Sequence, residues 1–100
     1  MWRCDSARSA ATTEQLPDGM QRLWTRELPP LQPAWPDEPR MCFDVAYEPV
    51  VVGDTLYAAS PRADKMMALD TGTGATRWEF FAGGPIRFAP VVWQDRLFFG

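Results

Sequence analysis

The chain has 100 residues, 46% hydrophobic and 13% aromatic, with ten basic against thirteen acidic side chains and a net charge of −3. That composition is core-forming material rather than a disordered tail, and with no basic cluster it gives no support to nucleic-acid binding. No histidine is present, which excludes Ser-His-Asp and Cys-His catalysis and a histidine-bearing zinc site within these residues; no apolar run approaches the roughly 20 residues that span a bilayer.

Residues 1–21 read as a lead segment, and Met1 is not followed by the charged-then-apolar signature of a secretory signal. Residues 22–28, Arg22-Leu-Trp-Thr-Arg-Glu-Leu28, read as an outer strand carrying Trp24. Residues 29–44 are a stiff loop, because prolines at 29, 30, 33, 36 and 39 fix φ and remove donors. Trp35 within it is expected to anchor the loop to the surface of the fold, with ligand stacking as the alternative. Asp37 and Glu38 are a solvated charge pair, and Asp5, Asp44, Asp64 and Asp95 are turn and edge residues, where Asp bonds its own backbone. Cys4 and Cys42 are open to two readings, one disulfide in an oxidising compartment or two unrelated thiols.

Residues 45–82 carry the grammar of a complete antiparallel sheet. Glu48 to Ala59 is an apolar run, a two-residue Gly53-Asp54 turn and a second apolar run. Leu56 to Ala59 is expected as an inner strand, Lys65 to Asp70 as the third, and Ala75 to Phe81 as a more polar outer strand with Thr76, Arg77 and Glu79. Between the last two, Asp70 can accept from backbone N–H groups two or three residues on, while Gly72 and Gly74 tolerate positive φ. The strands do not alternate apolar with polar, so both faces of the sheet call for cover.

Residues 83–100 then repeat the start of that sheet. Glu48 to Ala59 aligns without gaps on Ala89 to Gly100 at an offset of 41 residues, Pro49 falling on Pro90, Asp54 on Asp95 and Leu56 on Leu97. A period near 40 with strands between the repeats is a propeller signal. Pro49 and Pro90 stand at the leading edge of each run, where a strand tolerates a missing donor. Gly53-Asp54 is the better turn of the pair, Gln94-Asp95 the poorer.

Ala68 to Trp78 places Ala68, Asp70, Gly74 and Trp78 at the first, third, seventh and eleventh positions of an eleven-residue pattern. The pattern resembles the tryptophan-docking repeat of the quinoprotein-like, or pyrroloquinoline quinone repeat, β-propellers, in which one such segment closes each four-stranded blade and locks it against the next. The lead segment is similar to the Asp-x-x-Arg-Ser-Gly stretch that precedes such propellers, with Cys4 and Ala10 where glycine is usual. The resemblance implies an all-β fold: an incomplete β-propeller of four-stranded antiparallel blades, with one full blade at 45–82, the first hairpin of the next at 83–100, and residues 22–28 as a ring-closing outer strand. Since a ring needs at least about four blades, the chain is expected to be a fragment whose partners include missing blades, and Phe98-Phe99-Gly100 is expected to lie within a strand. An isolated version is expected to be marginal, oligomeric or aggregation-prone.

Ala68, Asp70, Gly74 and Trp78 are therefore structural docking residues, and no catalytic, cofactor-binding or metal-ligating residue is expected. The resemblance implies a non-catalytic bacterial propeller, a scaffold presenting loops to a protein partner, with an extracytoplasmic location by family. One alternative is a fragment of a quinone-dependent dehydrogenase, which would bring pyrroloquinoline quinone and calcium. The adjacent cysteines such enzymes place beside the quinone have no counterpart here. A further alternative is the sensor propeller of a membrane kinase.

Overall fold

A computed structural model describes Ser9 and residues 11–100. The expectations for Cys4, Asp5 and Ala10 lie outside the described residues. The described chain is all-β, with no helix, and so no helix long and apolar enough to cross a membrane among those residues. Six strands form: β1 (Val50–Val52), β2 (Thr55–Ser60), β3 (Lys65–Asp70), β4 (Thr76–Phe81), β5 (Val91–Trp93) and β6 (Arg96–Phe98). The first four make one antiparallel sheet in the order β1-β2-β3-β4, and β5 pairs with β6 in a separate two-stranded ribbon.

The strands fall where β-rich runs meet turn residues. β3 begins and ends as the sequence indicated, β2 extends one residue further at each end, and β4 starts at Thr76 because Ala75 is spent closing the turn with Asp70. Pro49 and Pro90 each stand one residue ahead of a strand, so no ladder donor is lost.

The two hairpins share one register. Val50 pairs with Tyr57, Val51 with Leu56 and Val52 with Thr55 in the first; Val91 pairs with Phe98, Val92 with Leu97 and Trp93 with Arg96 in the second. Every pair is displaced by the same 41 residues. Even the turns match, since the first turn residue has positive φ in each, 60° at Gly53 and 54° at Gln94. Glycine adopts that backbone freely; glutamine does so against its Cβ.

Neighbouring residues of a strand point to opposite faces, and the sheet accordingly has two cores. Ala58, Met67 and Leu69 form one, covered by Trp24, Leu28 and Leu56. Ala59, Met66 and Ile86 form the other, covered by Tyr57, Ala82, Leu97 and Phe99. The repeated hairpin thus lies on one face and the 22–28 segment crosses the other, which is how non-alternating β2 and β3 find cover on both sides. Phe99 adds an edge-to-face contact with Phe80 at 5.7 Å and 61°.

β4 departs from that arrangement, with all six residues exposed. It is a sheet edge carrying Trp78, Phe80 and Phe81 at 41%, 52% and 68% exposure. Residues 22–28, expected as an outer strand, form no strand within this chain. Their apolar residues do not alternate. Trp24 and Leu28 turn to the sheet while Leu23 stays exposed, and the segment packs by two anchors instead of by a ladder.

Candidate interaction site

The end of the sheet where β1 meets β2 and β3 meets β4 is held by one carboxylate. Asp70 Oδ1 accepts from the N–H groups of Gly72 (3.0 Å) and Thr73 (2.9 Å) and from the Thr73 hydroxyl (2.9 Å). The backbone closes around it, with the Asp70 N–H donating to Ala75 O and the Gly74 N–H to Asp70 O, each at 2.8 Å. Gly74 takes φ of 72° to complete the turn.

Just past this turn the β3–β4 register slips. Ala68 faces Trp78 but Leu69 faces Thr76, which leaves Arg77 as the extra residue of a bulge. A bulge re-aims its side chain, and Arg77 reaches back over the turns. Its guanidinium donates to Asp70 Oδ2 at 2.7 Å, to Asp54 at 2.8–3.0 Å and to the Thr55 hydroxyl at 2.8 Å. The Thr71 N–H also donates to Asp54 O at 3.0 Å, so both hairpin turns are tied together. The Arg77 bonds are the main reason that Asp70 is held down at about 2, with the Thr73 hydroxyl and N–H adding to it. They also lower Asp54, helped by Thr55, while the two carboxylates raise Arg77.

The free side of the same turn receives Trp24. Its indole N–H donates to the Thr71 carbonyl at 2.7 Å, and its ring covers Gly74 so closely that a Cβ there would lie 2.7 Å from Cδ2. Gly74 is thus required twice, by φ and by the approach of the ring. Of the four predicted docking residues, Asp70 and Gly74 build this seat. Ala68 lies fully buried opposite Trp78 in the ladder. Trp78 itself is half-exposed, its ring 6.0 Å from that of Tyr57 at 48°.

A second constellation lies where the proline-rich loop enters the sheet. Asp44, at φ 63°, accepts from Arg87 Nε at 2.9 Å and Nη2 at 3.0 Å, a two-pronged bond across 43 residues. Arg87 also sits 5.8 Å from the Trp35 ring, which in turn meets Phe43 edge-on at 5.7 Å. Trp35, expected as an anchor, meets the Arg87 side chain but stays 44% exposed. Glu48 accepts the Ala89 N–H at 3.2 Å. Around these ties lies an open cleft of about 200 Å³ lined by Cys42, Phe43, Val45, Glu48 and Phe88.

These carboxylates are spent on holding backbone and arginine. Among the described residues no three His, Cys, Asp or Glu side chains come together as a metal site. Cys42, whose thiol donates to Pro39 O at 3.1 Å, has no cysteine beside it in sequence. Sequence reasoning missed the Arg77 bulge and the Asp44–Arg87 pair, for which no local spacing gives a signal. Trp24 had one, its likeness in setting to Trp78.

The chain matches no protein-family model, no curated protein and no solved structure.

Proposed function

We propose that the chain is part of a quinoprotein-like repeat propeller that works as a non-catalytic binding scaffold. The observation that carries this reading is the pair of hairpins displaced by 41 residues in one register, the second stacked on the sheet that the first begins. Stacked sheets of equal period are what a ring of blades requires. The seat of Trp24 on the Asp70 turn ties the 22–28 segment to the face of that sheet opposite the second hairpin. One sheet and one hairpin are fewer than the roughly four blades a closed ring needs, so in this reading further blades complete it. β4, with Trp78 and Phe80 41% and 52% exposed, is then a surface for a following layer.

The scaffold is preferred over the dehydrogenase because the acidic side chains at both constellations brace arginine and turn N–H groups. The test is direct. The purified protein is titrated with pyrroloquinoline quinone and calcium and assayed for dye-linked alcohol oxidation. The scaffold reading expects neither saturable binding nor turnover; both together overturn it.

A further inference from the structure

We propose that residues 28–34 are a preformed polyproline II ridge that docks a second protein through a groove walled by near-parallel aromatic side chains. The inference deepens the scaffold reading and rests on it, by naming the class of partner.

The segment reads Leu28-Pro-Pro-Leu-Gln-Pro-Ala34. Prolines at 29, 30 and 33 fix φ near the polyproline II value, and each proline pushes the residue before it, here 28, 29 and 32, toward the same region. No backbone–backbone hydrogen bond involves residues 25–33 among the described residues, as expected of a helix without internal bonds. Burial then shows the period of the winding. Leu28, Leu31 and Ala34 are half-buried, and every residue between them is exposed. Three residues per turn is the repeat of polyproline II, not of a strand or an α-helix.

That period divides the helix into three ridges. The ridge of Leu28, Leu31 and Ala34 faces the fold, Leu28 packing on the Ala58, Met67 and Leu69 core. The other two, Pro29 with Gln32 and Pro30 with Pro33, face outward together and form the flat side of a triangular rod. A proline-reading groove takes such a paired side, its aromatic rings standing between successive prolines. The carbonyls of residues 30–33 accept no hydrogen bond among the described residues, leaving them for an indole or phenol donor on the partner.

The rod is also held at intervals. Tyr47 donates its hydroxyl to Pro29 O at 2.7 Å, Arg62 donates to Gln32 Oε1, and Trp24 is seated four residues upstream of Leu28. A ligand fixed in its bound shape loses little conformational freedom on docking. The first two ties fall on the Pro29 and Gln32 ridge and leave the Pro30 and Pro33 ridge open.

The experiment titrates the isotope-labelled 100-residue chain with two purified probes, an SH3 domain and a WW domain, followed by NMR. At least one is expected to bind saturably, with shift changes confined to residues 28–36 and their contacts. Pro30→Ala and Pro33→Ala are each expected to weaken that binding about tenfold, the loss typical of an interface anchor, while Pro39→Ala leaves it unchanged. Shift mapping on the unaltered chain keeps the inference falsifiable if a variant misfolds. No saturable binding of either probe, or shift changes centred elsewhere, overturns it. Quinone-dependent turnover instead overturns the scaffold reading and leaves the ridge measurement standing.

Discussion

Trp24 and Thr71, 47 residues apart, are joined by an indole N–H to carbonyl bond of 2.7 Å. The contact ties a segment with no strand partner to the sheet, since the same ring covers Gly74 and packs against the cluster of Ala58, Met67 and Leu69.

Substitution of Gly74 is expected to break this seat. Gly74→Ala both forces a Cβ against the Trp24 ring and places alanine at φ of 72°, and the two effects together are expected to cost about 2 kcal/mol or more. Thermal unfolding measures it. In a Trp24→Ala background the steric part disappears, so the Gly74→Ala loss is expected to fall to the backbone strain alone, about 1–2 kcal/mol. Equal losses in both backgrounds would mean that the ring does not rest on Gly74.

The Arg77 bridge makes stability depend on acid. Asp70 has its folded pKa lowered to about 2 from 3.8, and Asp54 is lowered too. A carboxylate depressed in the folded state contributes stability above its unfolded value, and that contribution is lost as pH falls through the folded one. Unfolding free energy is therefore expected to drop between about pH 4 and pH 2. Arg77→Ala is expected to flatten this limb in a pH series of denaturant melts, because the largest cause of both shifts is gone. An unaltered slope would remove Arg77 from the account.

The turn at Gln94 offers a gain. A glutamine at φ of 54° occupies the position that Gly53 holds in the first hairpin. Gln94→Gly relieves the Cβ clash at the expense of a freer unfolded chain, for an expected net stabilisation of up to about 1 kcal/mol. Gly53→Gln is expected to destabilise by a similar amount. Denaturant midpoints of the two variants moving in the same direction would show that the turns are not equivalent.

Trp78 separates the propeller reading from a solitary sheet. In this chain its ring is 41% exposed, so Trp78→Ala is expected to cost about 1 kcal/mol or less, near the level of a surface change. In a complete ring, with the indole covered by a following blade, the same substitution is expected to cost roughly 3–5 kcal/mol. Chemical denaturation of both forms gives the comparison, and a loss as small in the longer protein would leave Trp78 outside any interface.

The strands were legible because their signals are local. Val50 to Ser60 and Lys65 to Phe81 combine β-branched and aromatic runs with Gly and Asp turns, and the 41-residue echo foretold a second hairpin of identical register. What could not be read were contacts made at a distance. Arg77 looks like any exposed outer-strand residue until the bulge aims it at Asp54 and Asp70. Asp44 and Arg87 stand 43 residues apart with no shared motif. The 22–28 segment meets the sheet through Trp24 and Leu28, and docking by side chains leaves no mark in strand periodicity.

The central claim is that a docked indole locks the 22–28 segment onto the four-stranded sheet, and hydrogen exchange at the Trp24 Nε1 proton tests it most directly. With the proton held by Thr71 O and the ring on Gly74, exchange is expected to be slowed to the rate at which the sheet itself opens, and to quicken in Gly74→Ala. Exchange at the rate of a free indole in water would contradict the lock.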